Sequence, residues 1–322
     1  MNRIENSTIS IVMINYNGIN YLKRTIPVLF ELNYKNKEII IVDNGSTDGS
    51  IDFIKSFENI KLIQSPRLRE KNYACNLGVK NASGEYIFLC DNDLLITELS
   101  LLDNLKKLYE KQKNTGIIGI SFVNEGELKT KGYGNYLGYY YTKEKKSVNT
   151  NELLNYNLNE ISFPSGIGFF IKKDLWNNIG GFDDFLKFGG DDSDIGIKSW
   201  LFGYKNYLYT KSVQIHIGMP ERKDNNKFNI KFKEMFFADM YTITKNFGKL
   251  NMFITILMYS FYYFLRSIKQ SIFRFNIGPF LAFFKGYILY IKNIKYNLKK
   301  RKEIQDKRII KKDIFLNIKI PY

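Results

Sequence analysis

Two aspartates follow directly after an apolar segment in the first third of the chain. Tyr86 to Cys90 has the composition of a buried strand, and Asp91-Asn92-Asp93 comes next. Two carboxylates at a strand end cannot both be buried without a counter-ion. Ligands of parallel α/β sheets bind beyond the carboxyl ends of the strands, and hard cations share carboxylate oxygens with substrate phosphates. The segment therefore predicts a divalent metal, Mn²⁺ or Mg²⁺, with a bound phosphate; a solvated turn is the alternative.

A second polar loop, Asp43 to Ser50, also follows a strand and opens a helix. Its backbone amides and the helix N-terminus can receive a phosphate or a nucleotide base. Asp43, at the strand tip, can accept the imide N–H of uracil or a donor of another base. The same residues also suit an ordinary turn with a helix cap. The loop lacks the G-x-G-x-x-G pattern, which argues against a dinucleotide fold.

Apolar segments alternate with helical patterns through most of the first two hundred residues. Such alternation predicts a parallel sheet covered by helices on both faces. The predicted strands are Thr8–Asn15, Lys37–Val42, Ile60–Gln64, Tyr86–Cys90, Gly116–Ser121 and Ile167–Ile171. Between residues 122 and 162 the periodicity fades, which predicts a long loop forming a lid or a binding wall.

The composition changes after Pro220, and we place a domain boundary there, giving domains 1–220 and 221–322. Leu250 to Leu265 has no charge, and Phe275 to Ile291 is interrupted only by Lys285. The first run is too short for an upright span of about twenty residues. Residues 292–312 carry ten basic and two acidic residues. This pattern favours interfacial helices on an anionic leaflet, with a packed pair, a homodimer contact and a membrane hairpin as alternatives.

The net charge of +16, from 48 Lys and Arg against 32 Asp and Glu, predicts an anionic partner. Cys75 and Cys90 have no spacing typical of a metal site or a disulfide framework, which agrees with a reducing cytosol. The first apolar run, Ile9 to Ile14, is short and is not followed by a cleavage-like site. We therefore expect no signal peptide.

Five motifs, in order and with matching spacing, resemble the family 2 glycosyltransferases of the GT-A fold, and most closely their rhamnosyltransferase-like branch. The resemblance covers about residues 8 to 218. The motifs are Ile14-Asn15-Tyr16-Asn17, Val42 to Gly49, Asn72-Tyr73-Ala74-Cys75-Asn76-Leu77-Gly78, Gly84-Glu85-Tyr86 leading to Asp91-Asn92-Asp93, and Gly180-Gly181-Phe182-Asp183-Asp184. The resemblance implies an α/β GT-A fold with a mostly parallel central sheet and helices on both faces. The C-terminal helical extension would associate with the membrane.

The resemblance also implies roles for residues in the first half of the chain. Asn15, Tyr16 and Asp43 would line the base and ribose pocket. Asn76 and its helix would support the loop over the nucleotide. Asp93 would bind the metal that bridges the two phosphates, while Asp91 would contact the ribose, the metal or a metal-bound water.

In the second half, Asp191-Asp192-Ser193-Asp194-Ile195 stands where the family has Glu-Asp-x-Asp-Leu. Asp192 is then the candidate general base, since a carboxylate within hydrogen-bond reach can take the proton of an acceptor hydroxyl. Asp191 is the second candidate catalytic residue; it stands where the family has a Glu, whose longer side chain would orient the acceptor. An alternative interpretation is a charged helix N-terminus favoured by the helix dipole.

Three further residues take their roles from the resemblance. Ser165 and Gly166 match the small-residue turn where donor sugar and acceptor approach. His216, the single histidine, matches a terminal family histidine that contacts the metal or the diphosphate. Imidazole with carboxylate suits Mn²⁺ better than Mg²⁺. A structural histidine is the alternative.

These interpretations combine into a predicted inverting, metal-dependent glycosyltransferase. It would move a hexosyl or deoxyhexosyl group from a nucleotide-diphosphate donor to a lipid-linked or cell-surface glycan. We expect it in the cytoplasm, peripherally bound to the inner face of the cell membrane, with no nucleic-acid partner. A nucleic-acid-binding protein is a second possibility, but no nucleic-acid motif is present. A nucleotidyltransferase is a third, yet Ile11 to Gly18 contains a single glycine.

Overall fold

A computed structural model of the protein describes residues 7–130, 135–137, 143–145, 159–187, 189–218, 224–316 and 318. Most of the predicted loop between residues 122 and 162 therefore lies outside the described residues. So do residues 219–223 at the predicted domain boundary.

The described residues contain eleven β-strands. In chain order they are β1 (Ile9–Asn15), β2 (Lys37–Asp43), β3 (Ile60–Gln64), β4 (Tyr86–Asp91), β5 (Leu94–Leu95), β6 (Thr115–Asn124), β7 (Asn135–Leu137), β8 (Lys143–Lys145), β9 (Asn159–Glu160), β10 (Gly168–Lys172) and β11 (Lys205–His216).

The helices of the described residues cover the sheet and build the C-terminal part. They are α1 (Ile19–Glu31), α2 (Ser50–Lys55), α3 (Lys71–Lys80), α4 (Leu101–Lys111), α5 (Lys173–Ile179), α6 (Asp191–Leu201), α7 (Asn225–Asn246), α8 (Lys249–Phe273), α9 (Gly278–Lys292) and α10 (Ile294–Lys307). A 3₁₀ turn, Ile314–Leu316, follows.

The main sheet has the order β3-β2-β1-β4-β10-β6-β11-β5, with β9 paired to β11. Strands β3, β2, β1 and β4 are parallel, as predicted, but β10 is antiparallel to both β4 and β6. The sheet is thus mixed rather than uniformly parallel. Apolar runs identify a buried strand but not its direction, which depends on the path of the preceding chain.

Alternating side chains of β1 enter two different hydrophobic cores, because successive residues of a strand point to opposite faces. Ile9, Ile11 and Met13 belong to the core under α1 and α4. Val12 and Ile14 belong to the core under α3 and α5. Helices on both faces of the sheet confirm the predicted layering.

The C-terminal helices form a third core in which aromatic rings predominate. On α7, Phe236 lies 5.0 Å from Phe283 of α9 and 5.1 Å from Tyr263 of α8, measured between ring centroids. Gly286 of α9 allows a close approach, since a Cβ there would lie 3.0 Å from the Lys233 carbonyl of α7. No helix within the described ranges is both long enough and apolar enough to cross a membrane.

Two arginines of the basic segment, residues 292–312, form hydrogen bonds and an ion pair within the protein. Arg301 of α10 donates 2.6 Å hydrogen bonds to the carbonyls of Thr244 and Phe247, where α7 ends. Arg308 is buried and pairs with Asp313 at 3.0 Å. Cations at a helix C-terminus satisfy its last carbonyls and favour its dipole. The basic segment therefore secures α7 as well as carrying charge.

Candidate active site

The first part of the site forms where β4 ends and β11 returns to the sheet. Residues Leu94 and His216 are partners in the antiparallel β5–β11 pairing, which brings His216 beside Asp93. The His216 Nε2 atom lies 3.1 Å from Asp93 Oδ2. The other carboxylate oxygen, Asp93 Oδ1, is buried with no hydrogen-bond partner. Two residues that are 123 positions apart, both predicted to contact the metal, are thus in direct contact.

His216 has a hydrogen-bond acceptor on each side of its ring. Its Nδ1 lies 3.2 Å from Asn124 Oδ1, opposite the Asp93 contact at Nε2. The hydrogen bond with Asp93 raises the pKa of His216 above its usual value, although burial acts in the opposite direction. A cation at this position is therefore favourable, whether it is the ring proton or a metal in its place.

These residues fit a divalent cation that takes only part of its ligands from the protein. The orphaned Asp93 Oδ1 is an available ligand, and Gly218 leaves the necessary space. A Cβ at Gly218 would lie 2.5 Å from His216 Nε2 and 2.7 Å from Asp93 Oδ2. The described residues include no cluster of three His, Cys, Asp or Glu suited to a metal. The remaining ligands would come from phosphate oxygens or water, as is common for such ions.

Asp91 is already paired with a lysine. The Lys71 Nζ atom, at the start of α3, lies 2.7 Å from both oxygens of the Asp91 carboxylate and 3.4 Å from the Gly166 carbonyl. Burial lowers the pKa of Lys71, but Asp91 and Asp191 outweigh it and hold that pKa above its usual value. The geometry therefore gives Asp91 an ammonium counter-ion, and a metal contact would have to share this carboxylate with Lys71.

Several predicted residues line a single cavity of about 260 Å³. Because β10 is antiparallel to β4, the turn before β10 lies at the carboxyl end of β4, and Asp91 N donates to Ile167 O at 2.9 Å. The cavity is lined by Lys71, Asn72, Asp91, Ser165, Gly166, Ile167, Lys187, Gly189 and Asp191. The carboxyl end of β4 and the N-terminus of α6 thus line the same cavity.

Asp192 is not among the residues that line this cavity, but it follows Asp191 and lies close to Gly166. A Cβ on Gly166 would be 3.8 Å from both Asp191 Oδ2 and Asp192 Cβ. The Asp192 Oδ1 atom accepts a 2.7 Å hydrogen bond from the Ser193 amide, at the N-terminus of α6. Asp192 therefore lies near the Ser165-Gly166 turn, and its role as the general base stays a prediction.

Asn15 and Asp43 are buried, with their polar atoms bonded within the protein. Asp43 Oδ1 accepts from Asn15 Nδ2 at 2.9 Å, and Oδ2 accepts from the amides of Gly45 and Ser46. Asp43 therefore shapes the loop in this structure, and its contact with a nucleotide base stays a prediction. Tyr16 is partly exposed, and the Arg69 guanidinium lies 5.2 Å from its ring centroid.

Asn76 forms hydrogen bonds with the segment that follows α5. Its Nδ2 donates to Phe182 O at 2.9 Å, and its Oδ1 accepts from Phe182 N at 3.0 Å. It also donates to the Asp184 carboxylate. Asn76 thus fixes the Gly180–Asp184 segment, and its support of a loop over the nucleotide stays a prediction.

Sequence reasoning missed a buried charge cluster behind α6. Lys245 of α7 lies 2.7 Å from Asp183 Oδ2 and 2.9 Å from Asp194 Oδ1, and Lys198 lies 3.2 Å from Asp194 Oδ2. Two lysines balance two aspartates, as buried charges require. The i, i+4 spacing of Asp194 and Lys198 could have been recognised, but nothing near Lys245 in the sequence indicates its partners.

Known proteins resemble this chain in sequence and in fold. The model of glycosyl transferase family 2 matches residues 10–179. The chain belongs to this family. It is 27% identical over 180 residues to the glycosyltransferase GlyG of Streptococcus pneumoniae, a match that covers 53% of this chain and 58% of GlyG. The chain therefore spans less than two thirds of that relative.

Two solved structures resemble the fold at low sequence identity. The mannosyltransferase PcManGT of Pyrobaculum calidifontis, in complex with GDP-Man and Mn²⁺, has a TM-score of 0.57 at 15% identity, covering 97% of this chain and 86% of that one. S. aureus TarS 1-349, in complex with UDP-GlcNAc, has a TM-score of 0.62 at 12% identity, covering 96% and 90%. The chain thus has a GT-A-like α/β fold. The predicted rhamnosyltransferase-like branch is not distinguished by these matches.

Proposed function

We propose that this chain is an inverting glycosyltransferase that uses a nucleotide-diphosphate sugar and a divalent metal. One observation carries the proposal: a single cavity joins Asp91, at the end of β4, to Asp191, at the start of α6. By the resemblance, Asp91 would contact the sugar donor and Asp191 would lie beside the acceptor. Membership of glycosyl transferase family 2 supports the same reaction over nucleic-acid binding or nucleotidyl transfer.

The chain's own residues account for binding and proton transfer. Lys71 would face the diphosphate, and Asp93 with His216 would hold the metal, Mn²⁺ or Mg²⁺. When bound, the metal supplies positive charge that stabilises the leaving nucleoside diphosphate. Asp192 would take the proton from the acceptor hydroxyl as its oxygen bonds to the anomeric carbon. The bond between that carbon and the diphosphate oxygen breaks in the same step, so the configuration inverts.

The donor is proposed to carry a hexose or deoxyhexose. PcManGT with GDP-Man and TarS with UDP-GlcNAc support a sugar of that size without specifying the base. We keep the rhamnosyltransferase-like branch as part of this proposal. The acceptor would be a lipid-linked or cell-surface glycan in polysaccharide biosynthesis. We further propose a peripheral location on the cytoplasmic face of the cell membrane, with residues 1–220 as the catalytic domain and residues 221–322 as the helical region.

The decisive experiment is a panel of nucleotide sugars, with and without Mn²⁺, in which released nucleoside diphosphate is measured. Asp93→Ala should abolish turnover and weaken nucleotide binding. Asp192→Asn should lower turnover by about 10²–10⁴-fold, the usual contribution of a general base, with nucleotide binding retained. Asp103→Asn, on the surface of α4, is the matched control and should leave both unchanged.

Two results would count against the proposal. If the folded protein releases nucleoside diphosphate from none of the sugar nucleotides in the panel, the proposed reaction is wrong. Normal turnover in Asp192→Asn would reject the assignment of the base while leaving the donor site intact.

A further inference from the structure

Helix α8 has an unusual distribution of side chains. Its buried positions, four residues apart, are Thr255, Tyr259, Tyr263 and Ser267. The opposite side is exposed and almost entirely apolar, whereas the outer side of a helix in water is normally polar. Polar groups face the protein, and leucine, isoleucine and phenylalanine face outward.

Helix α9 continues this surface. We call the exposed large apolar side chains of the two helices the apolar face. On α8 they are Leu250, Phe253, Ile254, Leu257, Met258, Phe261, Tyr262 and Leu265, and on α9 they are Leu281, Phe284, Tyr287, Ile288 and Ile291. In the part of the chain that the structure describes, nothing covers them. Exposed apolar surface on this scale typically marks a contact with a partner or a membrane.

The last two residues of α8 and the turn that joins it to α9, together residues 272–277 and called the turn below, project further apolar groups. Phe275 is 98% exposed and Phe273 is 78% exposed, with Ile272 and Ile277 beside them. The φ angle of Phe275 is 47°, a strained value for an aromatic residue. Arg274 anchors the turn, since its guanidinium stacks 3.6 Å from the Phe228 ring centroid of α7. The protein thus holds this turn in a conformation that exposes its rings.

Charge identifies the occupant of this surface. From Lys249 to Lys292 the sequence has six basic residues and no acidic one. The exposed ammonium groups among them are Lys249, Lys269, Lys285 and Lys292. An anionic lipid surface complements such a pattern, with each basic residue near the bilayer strengthening binding. A second copy of this chain would instead bring like charges together, which opposes association.

We propose that the apolar face and the turn 272–277 insert into one leaflet of a bilayer that contains anionic lipids. Helices α8 and α9 lie along the interface, because they are not suited to crossing it. The phenylalanines of the turn enter the acyl boundary, while the lysines contact the lipid headgroups. This inference assigns a surface to the proposed membrane location, and its test needs no sugar substrate.

The test is sedimentation of the full chain with vesicles of phosphatidylcholine alone or of equal parts phosphatidylcholine and phosphatidylglycerol. The protein should bind the mixed vesicles, bind the neutral ones more weakly, and lose affinity as salt rises. Phe273→Ser with Phe275→Ser should weaken binding about tenfold for each ring removed from the acyl boundary. Leu128→Ser, at an exposed apolar residue outside this surface, should bind as the unchanged protein does.

Substitution of the exposed lysines tests the electrostatic contribution to binding separately from the apolar one. Lys269→Gln, Lys285→Gln and Lys292→Gln together should reduce binding to the mixed vesicles by roughly fivefold for each lysine. Binding to neutral vesicles should change little. The matched control replaces Lys55, Lys80 and Lys113, which are exposed on the catalytic part, and should have no effect on either vesicle.

An optical measurement covers the case in which a serine variant does not fold. The native Trp176 and Trp200 are buried, so they will not respond to lipid. An Ile277→Trp variant keeps the turn apolar, and its fluorescence should be quenched by brominated phosphatidylcholine in the mixed vesicles. Absence of quenching in a folded variant would overturn the proposal.

Other outcomes would also overturn it. They are failure of the unchanged protein to bind the mixed vesicles, or equal binding by the serine variants. A dimer that the serine substitutions dissociate, with no vesicle binding, would assign this surface to contact between two copies. None of these outcomes depends on sugar transfer, so the proposed reaction would stand or fall separately.

Discussion

Lys245 of α7 binds Asp194 of α6 across a buried contact, with its Nζ atom 2.9 Å from the carboxylate Oδ1. The two side chains are 2% and 1% exposed. Helix α6 also carries the candidate base and its neighbouring acid at its first turn. The first C-terminal helix therefore holds the element that positions the proposed chemistry, and the two predicted domains share a buried charge cluster.

Replacement of Lys245 should be costly for stability. Lys245→Met leaves the carboxylates of Asp183 and Asp194 short of a buried counter-ion, and breaking such a pair typically costs about 3–5 kcal/mol. Urea unfolding should show this decrease in the free energy of unfolding. Lys227→Met, at an exposed position of the same helix, should change it by less than about 0.5 kcal/mol. Equal values for the two variants would contradict the arrangement.

The same cluster should make stability sensitive to acid. Burial alone would raise the pKa values of Asp183 and Asp194. Lys245 outweighs this effect at Asp183, and Lys198 together with Lys245 outweighs it at Asp194. Both pKa values therefore lie below the usual 3.8, and the unfolded chain binds more protons as the pH falls. The stabilisation is complete above that value and is lost as the pH falls through the lowered pKa.

Unfolding at several pH values measures this effect. The free energy of unfolding of the unchanged protein should fall as the pH is lowered through 3.8 and should go on falling below about pH 3, because the folded-state pKa values are lowered. The fall should be smaller in a variant with Asp183→Asn and Asp194→Asn, whose side chains cannot titrate. Parallel curves for the two proteins would place the acid sensitivity elsewhere.

Gly218 offers a way to disturb the metal site without removing a ligand. A Cβ there would lie 2.5 Å from His216 Nε2 and 2.7 Å from Asp93 Oδ2, so Gly218→Ala must move these atoms. Loss of a supporting contact typically weakens a metal site about ten- to a hundredfold. Calorimetric titration with Mn²⁺ in the presence of a nucleoside diphosphate should show this loss.

The control for that experiment is Gly203→Ala. Gly203 has a φ of +89°, and a Cβ placed on it would have no neighbouring atom within 4 Å, so alanine strains the backbone without touching the site. It should lower thermal stability and leave Mn²⁺ affinity unchanged. Equal Mn²⁺ affinities in both alanine variants and the unchanged protein would exclude this metal position.

Replacement of Lys71 should weaken binding of the sugar donor more than binding of the acceptor. Lys71→Met leaves the Asp91 carboxylate, which lies 2.7 Å from the ammonium, without its partner beside the proposed diphosphate position. Loss of a charged hydrogen bond should weaken nucleoside diphosphate binding about ten- to a hundredfold. Direct titration measures this change, and Lys80→Met at the end of the same helix is the control. Unchanged affinity in Lys71→Met would remove Lys71 from the donor site.

The sequence predicted elements better than contacts. The strand predicted at Ile167–Ile171 is observed at Gly168–Lys172, because an apolar run between polar residues identifies a buried strand. Its antiparallel direction could not be predicted, since it depends on the path through the long preceding segment. That direction puts the turn before β10 beside Asp91 and helps to form the cavity.

Residue types were easier to recognise than their partners. Asp93 and His216 were both assigned to the metal, and they meet at 3.1 Å. Asp43 was correctly placed at a strand tip, but its oxygens are occupied by hydrogen bonds from Asn15 and backbone amides, which the sequence does not reveal. The position of Lys245 within an aromatic helix gives no sign of the acids it binds, because those contacts come from tertiary packing.

The position of β11 in the sheet has a consequence for folding during synthesis on the ribosome. This strand is made late, yet it lies between β6 and β5 and delivers His216 to the end of β4. Helix α7, which steadies α6, is made later still. A nascent chain that has emerged only through residue 179, where the family match ends, contains the loops proposed to bind the nucleotide but neither Asp192 nor His216. On the proposed assignment, β1 to β4 must therefore wait for β11 before the metal and acceptor residues are in place.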